Sequence, residues 1–227
     1  MSILLLGFLI GIYHALEVDH LAAVAALVGK NGNLARSVKT ASIWGVGHSL
    51  TLVIFGTAAM MLNSTIPENI ANRLEFMVGI MLIFLGIDVI RRMLRDKLHY
   101  HAHTHADGRT HCHAHSHKGQ TEHAEHRHGH INKFPVRAFF VGLMHGMAGS
   151  AALILLALDK VQNIWAGILY LALFGFGSIV GMAAVSVLIA IPLKLSSTSM
   201  TLLHNGSQGV IGIFSTLVGV YVAFGSL

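Results

Sequence analysis

Hydrophobic positions run through this chain in long blocks, without the narrow apolar stripe of a soluble surface helix. Six blocks can be drawn, at 3–28, 41–62, 74–91, 137–158, 163–191 and 205–226. Each is long enough to cross a hydrocarbon layer of about 30 Å as a helix. The short alternating strands of a membrane barrel are not seen. The pattern therefore predicts an all-α polytopic membrane protein of six transmembrane helices. The polar positions divide it into a first three-helix unit (1–91), a long polar loop (92–136) and a second three-helix unit (137–227).

Composition agrees. The 227 residues are 54% hydrophobic and 11% charged, against about 25% charged in soluble domains. The net charge of +5 does not point to nucleic acid, because the basic residues flank the blocks and form no stripe with aromatics. The single cysteine, Cys112, excludes an internal disulfide. The first residues lack a basic region and a small-residue cleavage site, so no cleaved leader is expected.

Charge placement predicts orientation. Lys30, Arg36 and Lys39 follow the first block, nine Lys and Arg from Arg91 to Arg137 lie in or beside the long loop, and Lys194 precedes the last block. That puts 13 of the 15 Lys and Arg on one side, leaving Arg73 and Lys160 on the other. The basic side is expected to be cytoplasmic. Both termini are then expected outside, in a bacterial or archaeal plasma membrane.

The two halves share landmarks. Gly11-Ile12-Tyr13-His14 is similar to Gly142-Leu143-Met144-His145, Gly45-Val46-Gly47 to Gly175-Phe176-Gly177, and Gly79 and Gly86 have counterparts in Gly212 and Gly219. Three crossings per half is an odd number, so the second half is expected to run inverted. Inverted repeats are typical of transporters, with a site at the repeat interface.

The chemistry concentrates in Tyr13-His14-Ala15-Leu16-Glu17-Val18-Asp19-His20, inside the first block. Ionisable groups are costly in lipid and mark interior paths or sites. His14, Asp19 and His20 offer nitrogen and oxygen ligands to a divalent transition metal. His48 and His145 lie at about the same depth as His20, roughly 12 Å from the cytoplasmic end at about 1.5 Å per residue. On a straight helix His14, Glu17 and His20 share one arc while Asp19 points elsewhere. Either the helix is irregular there, or Asp19 holds the ring N–H of a ligating histidine, His48 or His145. Glu17 is a further ligand or a carrier of a compensating proton. Asp88, beside Arg91 and Arg92, reads as a paired interfacial charge, and His204 as an interfacial or entry residue.

His14-x4-Asp19-His20 resembles the H-x4-D-H signature of the nickel/cobalt transporter superfamily. Gly47-His48-Ser49 and the stretch from Gly142 to Ser150 are similar to its NicO branch, which includes urease-accessory membrane proteins and nickel/cobalt efflux proteins. The resemblance implies passage of Ni²⁺ or Co²⁺, with His14, Asp19 and His20 as functional residues. It also implies a metal-ion substrate and no enzymatic activity. Uptake is the direction favoured by the 142–150 stretch, and efflux by the histidine loop. Six blocks, against the eight spans of the longer importers, is a departure.

That loop holds 12 of the chain's 17 histidines: His99, His101, His103, His105, His111, His113, His115, His117, His123, His126, His128 and His130. With Cys112, they read as weak, exchanging sites for Ni²⁺, Co²⁺ or Zn²⁺ in a disordered segment. No resident cofactor is expected. The expected partners are the transported ion and the lipid bilayer; a metallochaperone and a second copy of the chain are candidates. A membrane-embedded zinc hydrolase, with Glu17 as general base, and a metal sensor acting through the loop are the competing readings.

Overall fold

The computed structural model describes residues 3–29, 33–62, 67–95, 99–104, 110–115, 135–148, 163–199 and 201–227, with side chains described except at 3, 99–104, 110–115, 195–199 and 201–205. The second part of the fourth block, the loop positions His105, His117, His123, His126, His128 and His130, and the side chain of His204 lie outside the described residues.

The described residues form helices α1 (Ile3–His14), α2 (Val18–Val28), α3 (Leu34–Leu62) and α4 (Glu68–Arg95), strands β1 (His99–Thr104) and β2 (Thr110–His115), then α5 (Val136–Ala148), α6 (Ile164–Ser199) and α7 (Thr201–Gly225). Among them α3, α6 and α7 are long and apolar enough to cross a membrane singly. Helix α4 has the length but carries Arg73, Glu75, Asp88 and Arg91 within its apolar stretch.

The first block is not one helix. α1 and α2 meet at 60°, and only together do they have the length of a crossing. No proline or glycine causes the break. The chain tightens through Leu16 N–H to the Tyr13 carbonyl (2.9 Å) and Glu17 N–H to the His14 carbonyl (3.1 Å), the i→i−3 pattern that ends helices. Glu17 is then extended, with φ −61° and ψ 148°. Its carbonyl accepts from Leu21 N–H at 2.9 Å, so α2 begins at once.

Elsewhere the ends follow local rules. Asn33 and Asn163 open α3 and α6 by accepting from the N–H of Ala35 (2.9 Å) and Trp165 (3.0 Å), as an N-cap does. Each accepts from the N–H two residues on, so the two helices begin alike. Pro67 and Pro135 precede α4 and α5 and lend their carbonyls to the first turns.

β1 and β2 pair antiparallel, with His99 opposite His115, His101 opposite His113 and His103 opposite His111. This adds one short two-stranded element, within the loop, to an otherwise helical fold. The physical reason is the His-x-His spacing: a period of two suits a strand, and Tyr and Thr between the histidines favour one.

Packing is by small residues. α1 lies on α6, α3 on α5 and α6, and α4 on α7. A Cβ at Gly11 would fall on the Phe174 carbonyl, and one at Gly142 on the Trp44 carbonyl. One at Gly47 would meet the Phe139 carbonyl, and one at Gly177 the Phe8 carbonyl. Gly79 faces Gly219 and Ala223, while Gly212 faces Gly86 and Ile90. Without a hydrophobic drive between helices in lipid, such close approach and hydroxyl bridges hold them together. The bridges include Ser178 to the Gly11 carbonyl (3.1 Å), Ser49 to Gly175 (2.9 Å) and Thr51 to Leu143 (3.1 Å).

At the centre lies α2, with His20, Ala22–Ala26 and Val28 buried. Large apolar side chains such as Phe84, Leu188 and Leu217 point outward instead, where a bilayer would cover them.

Candidate metal centre

Because the first block breaks at Ala15–Glu17, His14 ends one helix and His20 lies in the first turn of the next. The two rings come within 4.2 Å of each other, centroid to centroid. His48, from the middle of α3, and His145, from the last turn of α5, close on the same place. Their centroids lie 4.9 Å and 4.4 Å from His20. All four imidazoles are buried.

Two carboxylates hold these rings. Glu17 Oε1 lies 2.9 Å from His14 Nδ1, across the helix break. Asp19 reaches two rings, with Oδ1 3.0 Å from His20 Nδ1 and Oδ2 3.0 Å from His145 Nε2. Asp19 Oδ1 also accepts from the His20 backbone N–H at 2.9 Å, which fixes its rotamer. A carboxylate on one ring nitrogen sets the tautomer and leaves the other nitrogen with its lone pair. The nitrogens so exposed are His14 Nε2, His20 Nε2 and His145 Nδ1.

Those nitrogens are set up as ligands. His20 Nε2, His145 Nδ1 and His48 Nδ1 are buried without a hydrogen-bond partner. Buried polar atoms are rarely left so, and each asks for a reason such as an unseen ion. His14 Nε2 and His48 Nε2 are 3.2 Å apart, close to the edge of a polyhedron built on metal–nitrogen bonds of about 2.0–2.1 Å. Ligand atoms of His14, His20 and His48 all lie within 4.8 Å of one another, as do those of Asp19, His20 and His145. His20 belongs to both groups.

The irregular helix removes the difficulty of aiming four side chains from one straight rod. Asp19 sits against His145, one of the two partners considered for it, and against His20; His48 pairs with His14. Asp88 accepts from Arg137 at 2.7 Å and lies 3.4 Å from Arg92, tying α4 to the start of α5.

Trp44 was missed by sequence reasoning. Its fully buried ring lies 5.6 Å from His20, 5.4 Å from His145 and 6.0 Å from His48. The signal was available: Trp44 is one helical turn before His48, on the same face. Glu75 was also missed. With Glu17, Asp19 and His145 it lines a cavity beside the cluster, and no spacing in the sequence links α4 to this place.

The class these features define is a helical membrane protein with a buried His/Asp site able to hold a transition-metal ion. Comparison with known proteins narrows it. The urease accessory protein UreH of Bacillus sp. (strain TB-90) is 37% identical over 224 residues, covering 99% of this chain and 91% of that protein. The chain belongs to the UreH family of urease accessory proteins, the branch to which the 142–150 stretch pointed. An accessory protein, not an enzyme, is what that membership describes. No family model and no solved structure matches the chain.

Proposed function

We propose that this protein carries Ni²⁺ across the plasma membrane, inward, by way of the histidine cluster. The observation that carries the reading is the donor set: four buried imidazoles, two carboxylates that orient three of them, and free nitrogens converging at the break of a discontinuous helix. Broken helices with a site at the break are the architecture of secondary transporters. Imidazole-rich sets suit Ni²⁺ and Co²⁺, and a relative that serves urease favours nickel. Co²⁺ is accepted by the same ligands. The metal ligands are His14, His20, His48 and His145, with Asp19 and Glu17 as their carboxylate partners.

The six crossings form two inverted halves, 1–91 and 137–227. Reciprocal packing supports this. Exchanging α1 with α5, α3 with α6 and α4 with α7 maps the Gly11–Phe174 approach onto Gly142–Trp44, and Gly47–Phe139 onto Gly177–Phe8. The site lies between the halves, and rocking of one against the other exposes it to each side in turn. The basic ends face the cytoplasm. The histidine tract from His99 to His130 is there a buffer for incoming metal. Efflux by the same fold would use that tract as a collector.

The test is metal flux into sealed proteoliposomes, with Ni²⁺, Co²⁺ and Zn²⁺ offered separately. Ni²⁺ flux should be lost, by about 100-fold or more, in His20→Ala, because His20 serves both ligand groups. Deletion of residues 99–130 should change flux by only a few-fold. Flux untouched by His20→Ala would reject the mechanism. Metal accumulation in cells overproducing the protein, against depletion, decides direction.

A further inference from the structure

One cavity touches the cluster and is not absorbed by it. Its volume is about 640 Å³, and its lining includes Glu17, Asp19, Glu75, His145 and Tyr221. Glu75 lies in the first half of α4, His145 near the end of α5, and Tyr221 near the end of α7. The cavity therefore sits at the end of the bundle where α4 begins and α5 and α7 finish. Arg91, Arg92 and Arg95 are at the other end of α4.

Two independent observations point to a cation there. Three carboxylates line the cavity, and no Lys or Arg does among the described lining residues. A concave wall of one sign focuses the field and raises the local concentration of the opposite charge. Separately, His145 is 1% exposed, lines the same cavity and keeps its Nδ1 without a partner. A histidine of the cluster that keeps an unpartnered nitrogen thus lines the space that the carboxylates make negative. Towards the basic end, the way is filled by the fully buried Trp44, packed on three of the four histidines.

We propose that this cavity is the water-filled entrance by which a hydrated divalent cation reaches the histidines, and that Glu75 is the carboxylate that first holds it. The inference rests on the transport reading above. Glu17 and Asp19 are already engaged with imidazoles, so Glu75 is the charge added for capture. An ion held near Glu75 passes to Asp19 and His145, and then to His20, which both ligand groups share. The cavity thus opens at the end opposite Arg91, Arg92 and Arg95, while Trp44 packs against the histidines on the other side.

The experiment compares wild type with Glu75→Gln in Ni²⁺ flux, at low and high ionic strength. The expected result is a KM raised about three- to tenfold, with a smaller change in maximal rate. The difference should shrink at high salt, as screening removes steering. A second variant tests the cavity without touching its charge: Tyr221→Cys with Cys112→Ala, exposed to a membrane-impermeant cationic methanethiosulfonate in right-side-out vesicles. Labelling that Ni²⁺ slows is expected. An unchanged KM in a protein that still transports, or a Tyr221→Cys thiol that does not react, overturns the entrance and leaves the transport reading standing. Absence of flux in the wild type instead overturns the transport reading, and the labelling result then decides the cavity alone.

Discussion

The short helices α1 and α5 are packed alike and equipped differently. Each docks through a glycine onto a long helix of the other half, Gly11 on α6 and Gly142 on α3. Each carries a histidine three residues after that glycine, His14 or His145. Each also has a hydroxyl reaching one of its backbone carbonyls, from Ser178 to Gly11 and from Thr51 to Leu143. Only after α1 does the described chain continue into Glu17, Asp19 and His20. The same kind of helix contact is thus made twice among the described residues, while Glu17, Asp19 and His20 follow only one of the two helices. Like packing therefore does not bring like chemistry: the carboxylates that hold the rings of His14, His20 and His145 all come from the chain that follows α1.

The glycine contacts offer the harshest way to break this comparison. Gly11→Ala and Gly142→Ala should each destabilise the protein in detergent by about 1–3 kcal/mol, and equally, because each new methyl meets a backbone carbonyl that cannot swing away. Gly206→Ala should be neutral or slightly stabilising, since nothing lies within 4 Å of its added Cβ and alanine favours helix. Thermal unfolding of the three variants is the measurement. A large effect at one of the first two only would mean that the halves are not packed equivalently.

The carboxylates sharpen the contrast. Asp19→Asn frees two imidazoles and Glu17→Gln frees one. Ni²⁺ affinity, read by calorimetry on purified protein, should fall about 10–100-fold for Asp19→Asn, the usual loss for such a partner. The loss for Glu17→Gln should be smaller. The reverse order would make Glu17 the principal organiser of the site.

The hydroxyl bridges give the smallest effect. Ser178→Ala and Thr51→Ala should each cost about 0.6 kcal/mol, the typical worth of an interhelical hydrogen bond in a membrane. Matching values would extend the equivalence of the halves to their polar contacts. A much larger loss at Thr51 would indicate that its neighbour His48 moves with it.

Much of this was legible in the residues. Long apolar blocks without the alternation of barrel strands are helices in lipid, because every backbone group must then be paired within the segment. Glycines recurring along the blocks announced close packing, and histidines inside apolar blocks with a neighbouring aspartate announced a candidate metal site. The convergence of His20, His48 and His145 at one level followed from counting 1.5 Å per residue. The His-x-His tract, in contrast, was read by its composition, and the pairing of β1 with β2 was not drawn from its alternation.

The sequence by itself determined the helical membrane class and the residues able to bind a metal, since both depend on side-chain chemistry and on spacing along one chain. Only the tertiary structure decided where the first block bends, that Asp19 serves His20 and His145, that Trp44 packs on three of the histidines, and that Glu75 lines the cavity beside them. Ala15-Leu16-Glu17 has no helix breaker. The bend is held by partners, His14 on Glu17 across it and Asp19 on His145 from another helix. A conformation fixed by contacts between distant segments has no local signature, because the energy that selects it exists only once those segments meet.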